Sequence, residues 1–148
     1  MFTTLLILTG IYFLTRNNKM IDPLTGVITS PFGWRASGFH NGTDIAANVG
    51  TPIKSPADGK VVAVFFDNTY GGGYSLVIEH DNGYRTGYAH LSGFHVQTGE
   101  KVKQGQIVAY SGNTGYSTGP HLHFTLSKKD PKTNQWTFID PQTVFKFK

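Results

Sequence analysis

Two histidines stand two residues apart in His121-Leu122-His123, within the run Ser117-Thr118-Gly119-Pro120-His121-Leu122-His123-Phe124. Successive side chains of an extended strand alternate between faces, so both imidazoles point to one side and can serve a metal. A strand histidine is more often exposed or hydrogen-bonded than a ligand, and the pair alone does not make a site. Upstream, His40-Asn41-Gly42-Thr43-Asp44 sets an imidazole and a carboxylate four residues apart. That stretch contains glycine and is too irregular for a helix, yet its two polar groups can again share one side of the chain. Together these segments supply three or four nitrogen and oxygen ligands.

Catalytic zinc takes three protein ligands from His and Asp or Glu and keeps a fourth position for water. Structural zinc is usually closed off by thiolates, and this chain has no cysteine. A zinc ribbon or finger is thereby excluded, as is a disulfide framework. An open site points instead to metal-assisted hydrolysis. A further histidine, His90, ends a strand-like segment in Tyr88-Ala89-His90-Leu91-Ser92, where the wall of a cleft would stand. The plain alternative there is a solvated strand-end histidine.

The elements that must position these groups read as mainly β. The 18 Gly, 11 Phe and 7 Tyr in 148 residues favour a turn-rich, aromatic-packed β domain over a helical one. Strands are expected near 26–29, 60–66, 74–80, 84–90, 106–111 and 121–127, where β-branched and aromatic residues cluster between turn signals. Asp81-Asn82-Gly83 marks a hairpin, because Asn-Gly supplies the positive φ a tight turn needs. Gly71-Gly72-Gly73 reads as a loop or bulge where backbones, or a substrate, come close. Outside the N-terminus, helix is expected only as one turn over 141–145. His80 and His95 have no motif partners and read as surface residues.

The length fits one domain with a short extension, divided as an apolar segment 1–19, a linker 20–26 and a domain 27–148. The first segment is expected as an apolar helix. It lacks the leading charge and small-residue cleavage site of a secretory signal, and it is shorter than the ~20 residues that span a bilayer. A short or tilted membrane anchor, an uncleaved export signal, a helix docked in a larger assembly and a helix packed on the domain itself all fit. Arg16 and Lys19 follow it and would favour a cytoplasmic C-terminal side, against an exported domain, which leaves topology open. The net charge of +4 suits nucleic acid, an anionic cell wall or an acidic membrane surface alike. The basic residues are scattered and carry no nucleic-acid motif, so no nucleic-acid partner is expected.

Taken in order, several pieces resemble the lysostaphin and LytM type of zinc metallopeptidase. They are His40-x-x-x-Asp44, Gly50-Thr51-Pro52-Ile53, Ala57-Asp58-Gly59-Lys60-Val61-Val62, Tyr88-Ala89-His90-Leu91, Gly99-Glu100-Lys101-Val102-Lys103-Gln104-Gly105-Gln106 and the run from Ser111 through His121-Leu122-His123-Phe124. They cover about residues 27–127. The resemblance implies an antiparallel, sandwich-like β domain whose groove carries one zinc ion. It also implies hydrolysis of peptide bonds in bacterial peptidoglycan, in stem peptides or cross-bridges, by a cell-wall-facing protein. It assigns His40, Asp44 and His123 to zinc and makes His90 and His121 the unliganded catalytic histidines, without saying which is the general base. Some relatives carry a tyrosine shortly before the first zinc histidine. Here 31–39 contains none, which leaves oxyanion stabilisation to histidines or backbone donors.

Rival readings are weaker. A non-catalytic regulator of the same fold, binding peptidoglycan or a partner, would usually have lost ligands. A biotinyl- or lipoyl-type carrier, suggested by 99–109, would show a modified lysine at a hairpin tip and leave the histidines idle. A phage-encoded lysin seated in a virion or membrane by residues 1–19 keeps the enzyme and changes its setting.

Overall fold

The computed structural model describes residues 19–148. The first strands are β1 (Ile28–Ser30), β2 (Gly33–Arg35), β3 (Gly38–His40), β4 (Thr43–Ala46), β5 (Pro52–Lys54) and β6 (Gly59–Asp67). They are followed by β7 (Gly73–His80), β8 (Tyr84–Phe94), β9 (Lys101–Val102), β10 (Ile107–Ser111), β11 (His121–Lys129) and β12 (Trp136–Ile139). Ten of these join one sheet in the order β1-β4-β11-β8-β7-β6-β9, with β12 beside β11 and β10 between β8 and β5. β2 and β3 pair apart from it. Every pairing is antiparallel, in agreement with the mainly β expectation. The short strands β2 to β5, β9 and β12 lie outside the expected set; β2 to β5 and β9 are only two to four residues long, and β12 is missed although Trp136-Thr137-Phe138-Ile139 is aromatic and β-branched.

β11 and β8 lie at the centre and carry three of the five candidate site residues. On β11 Leu122, Phe124 and Leu126 are fully buried, while His121 and His123 lie on the opposite face. Phe124 meets Tyr88, Phe145 and Phe147 edge-on at centroid distances of 5.4, 5.1 and 5.8 Å, so the aromatic core lies directly beneath the histidine face. Burying each such ring contributes about 1.5–3 kcal/mol. β7 and β8 form the expected hairpin, with Gly83 at φ 84° in the connection.

β8 breaks its own alternation at the site. Thr86 and Tyr88 are buried, and a regular strand would send His90 to that same face. Instead Leu91 is fully buried and His90 faces the other way, against the His121 and His123 rings. The step from Tyr88 to Leu91 on β8 is opposed by the shorter step from Leu76 to Tyr74 on β7, and His90 has φ 60°. This is a β-bulge, a device that re-aims a side chain.

Three expectations need correction or limits. His80 is buried, not superficial: its Nδ1–H donates to Ala57 O at 3.1 Å and its Nε2 accepts from the Thr86 hydroxyl at 2.7 Å. Thr86 in turn accepts from the Tyr88 phenol at 2.7 Å. His95 is exposed. Residues 20–26 do not behave as a linker, because Met20 and Leu24 enter the core and the Asp22 carboxylate accepts from the backbone N–H groups of Lys146 and Lys148. The Gly26 N–H also donates to Phe147 O at 3.0 Å, so the C-terminal tail pins this segment down. The N-terminal apolar helix expected over 1–19 lies, but for its last residue, outside the described residues. Among the described residues no helix is long and apolar enough to cross a membrane. The turn expected at 141–145 is the 3-10 turn Pro141–Thr143, capped by the Asp140 carboxylate.

Candidate active site

β3, β4 and β11 bring three of the candidate residues together. His40 closes β3, Asp44 lies in β4, and His123 in β11 pairs directly with Asp44 across the ladder. The His40 Nδ1–H donates to Pro31 O at 2.9 Å, which leaves a lone pair on Nε2. The His123 Nε2–H donates to Asn41 Oδ1 at 3.1 Å, which leaves its lone pair on Nδ1. His40 Nε2, His123 Nδ1 and Asp44 Oδ1 then stand 3.1, 3.3 and 2.9 Å from one another.

Three converging lone-pair atoms with no proton between them repel one another and call for a cation. Two donors bound tetrahedrally at ~2.0–2.1 Å stand about 3.4 Å apart, close to the separations here. His40, Asp44 and His123 therefore form a group able to hold a metal ion. Its His-and-carboxylate composition fits zinc in an open site. Burial by itself would raise the Asp44 carboxyl; when the imidazoles carry a proton, the hydrogen bond and charge of His123, then the charges of His40 and His121, hold it below the usual range, and a cation bound in place of those protons acts in the same direction. A carboxylate kept ionised is what a cation site requires.

Two more imidazoles border this group. His121 donates its Nδ1–H to Gly119 O at 2.8 Å, with Ser117 Oγ 3.1 Å from the same nitrogen, and its Nε2 lies 3.8 Å from Asp44 Oδ1. His90 donates its Nδ1–H to Thr114 O at 2.7 Å. The rings of His90 and His121 are 4.6 Å apart, and His90 lies 6.2 Å from the His123 ring. Burial lowers the pKa of His90, as do the neighbouring His121 and His123; the Thr114 hydrogen bond and the Asp44 charge oppose them. Both rings thus hold one nitrogen fixed to a backbone carbonyl and leave Nε2 as a basic atom.

All five residues singled out in the sequence meet here. Sequence reasoning gave no role to Asn41 and Thr114, whose oxygens fix the tautomers of His123 and His90, or to Gly119, whose carbonyl does so for His121. Asn41 lies between two candidate ligands, but nothing in its type or spacing signals a hydrogen bond to a histidine 82 positions away.

The model of peptidase family M23 matches residues 38–135. The glycyl-glycine endopeptidase ALE-1 of Staphylococcus capitis is 51% identical over 110 residues, covering 74% of this chain and 30% of that protein. The antimicrobial peptidase lysostaphin from Staphylococcus simulans superposes with a TM-score of 0.73 at 32% identity, over 86% of this chain and 52% of that one. A zinc-containing peptidase from Vibrio cholerae gives a TM-score of 0.68 at 38% identity, over 82% and 38% respectively. The chain thus spans about a third of the length of ALE-1 and about half of the lysostaphin structure. The matched region runs from β3 into the approach to β12 and takes in His40, Asp44 and His123 and both bordering imidazoles, and on that extent the chain belongs to peptidase family M23.

Proposed function

We propose that the chain is a zinc-dependent endopeptidase that hydrolyses peptide bonds of bacterial peptidoglycan, in stem peptides or cross-bridges. The observation that carries this reading is the convergence of three possible ligand atoms within 4.8 Å of one another, beside two imidazoles whose Nδ1 atoms are tied to backbone carbonyls. In this reading His40, Asp44 and His123 hold one zinc ion, and His90 and His121 handle protons. Zinc, when bound, supplies Lewis acidity that polarises a carbonyl and makes water ionisable near pH 7.

The chain's own residues do the rest. An imidazole Nε2 takes the proton of the attacking water as the water oxygen bonds to the carbonyl carbon, and the resulting imidazolium gives that proton to the amine as the C–N bond breaks. The second imidazole, when protonated, donates to the developing oxyanion. That role needs no tyrosine, in keeping with its absence from 31–39. An open depression of about 430 Å³ lined by Thr25, Ala46, Ala47, Asn48, Thr51 and Pro120 adjoins Asp44 and His121 along the chain and offers a path for an extended peptide.

The corresponding setting is extracytoplasmic and cell-wall-facing, and a membrane or virion attachment would run through residues 1–19. The test is digestion of purified peptidoglycan by chain loaded with one equivalent of zinc, with assay of the new ends. New amino termini support the proposal; release of reducing sugars, or no release at all, refutes it.

A further inference from the structure

We propose that Thr114, with the facing segment Gly71-Gly72-Gly73, is the positioning device that turns His90 into the site. This rests on the reading of His90 as a proton-handling residue and adds what holds it there.

A left-handed backbone is costly for a residue other than glycine and persists only where its surroundings enforce it. His90, at φ 60°, is held at two points from opposite sides. Its backbone N–H donates to Gly72 O at 2.7 Å, and its ring Nδ1–H donates to Thr114 O at 2.7 Å. Thr114 is itself anchored, because its hydroxyl donates to Leu91 O at 2.6 Å and accepts the Tyr74 N–H at 3.1 Å. One side chain thereby ties the residue after His90 to the start of β7, and the same residue's carbonyl fixes the His90 ring.

The two segments lock together with no room for side chains. A Cβ on Gly73 would lie 2.5 Å from the Thr114 carbonyl carbon and hydroxyl oxygen. A Cβ on Gly115 would lie 2.3 Å from Gly71 O and 2.5 Å from Gly73 N. Gly112 closes on the bulge as well, where a Cβ would lie 2.8 Å from His90 O. Packing of this kind over-determines the bulge. The Thr114 hydroxyl, bound to Leu91 O and to the Tyr74 N–H, sets where the Thr114 carbonyl meets the ring, and that carbonyl bond fixes the tautomer and aim of the imidazole. Without it the ring is free to place its proton on Nε2, which removes the lone pair that faces the clustered ligands. Thr114 acts through His90 and does not itself touch the reacting atoms.

The experiment compares zinc-loaded wild type, Thr114→Val and Thr114→Ser. Thr114→Val keeps the side-chain shape but loses the hydroxyl. It is expected to lower kcat on the order of 10²-fold, with KM and zinc content unchanged. Imidazole ¹⁵N spectra should show His90 leaving the Nδ1–H tautomer, and Thr114→Ser should restore both readouts. Wild-type kcat in Thr114→Val overturns the proposal, as does a loss of kcat with the His90 tautomer unchanged. Should Thr114→Val fail to fold, Thr114→Ala removes the same hydroxyl with less crowding at Gly73 and is judged by the same criteria. His90→Gln tests the underlying reading separately: full activity there removes the catalytic role of His90, whereas the tautomer spectra still report whether Thr114 holds the ring.

Discussion

Replacing Gly42 with alanine should loosen the metal centre without touching a ligand. A Cβ at Gly42 would lie 2.5 Å from Phe124 O, 2.9 Å from His123 Cε1 and 3.0 Å from Thr125 Cγ2. Phe124 O is a carbonyl of central strand β11, held in place by the buried Phe124 ring, so the chain at Gly42 and β11 must separate by about 0.9 Å to reach an ordinary contact of 3.4 Å. Metal–ligand distances tolerate only about 0.2 Å. Cε1 is bonded to the Nδ1 that faces Asp44, and pushing it rotates the ligating atom away from its partners. A loss of about 10- to 100-fold in zinc affinity follows, the range seen when groups supporting a ligand are disturbed. In free energy that is about 1.4–2.8 kcal/mol. Overpacking should separately cost about 1–3 kcal/mol of stability. Chelator competition measures the first effect and denaturant unfolding of the metal-free chain the second. Zinc affinity equal to wild type in a folded Gly42→Ala variant would refute the reasoning, because it would mean that His123 does not ligate through Nδ1 or that the strands yield freely.

Asn41→Ala removes the acceptor that keeps the His123 proton on Nε2, and zinc affinity should fall about 10- to 100-fold in the same competition assay. His80 supplies a pH dependence. Burial pushes its pKa below the ordinary value, against the hydrogen bonds to Ala57 and Asp58, so the unfolded chain takes up this proton first as pH falls. Its contribution to stability is complete above about pH 6.5 and declines as pH drops through the lowered folded value. Denaturant midpoints measured from neutral to mildly acidic pH should therefore fall more steeply for wild type than for His80→Asn, and parallel curves would contradict this.

What the sequence shows of the site follows from which features are local. The common face of His121 and His123 was legible because strand alternation needs no knowledge of the rest of the fold, and β11 obeys it. The β7–β8 hairpin was legible for the same reason, through Asp81-Asn82-Gly83. His90 is different. Alternation alone would bury it beside Tyr88, and the bulge that turns it out rests on distant groups, the Gly72 carbonyl and the close packing at Gly73, Gly112 and Gly115. His80 was misjudged because its polar atoms are satisfied by Ala57 and Thr86, partners that become visible only when β6, β7 and β8 are in register. Residues 20–26 resembled a linker because Pro23 and Gly26 punctuate them, yet they are fixed by Phe147 and Lys148 from the far end of the chain. β4 holds Asp44 but is four residues long and interrupted upstream by Asn41-Gly42, too short to announce itself as a strand.

Two histidines of one strand, two residues apart, divide the work in the proposed function: His123 binds metal and His121 moves protons. Elemental analysis of zinc in purified His121→Ala and His123→Ala, each assayed in parallel for release of amino termini from peptidoglycan, tests it most directly. His121→Ala should retain one zinc and lose hydrolysis, while His123→Ala should lose both. Equal zinc in the two variants, or hydrolysis surviving in His121→Ala, would contradict it.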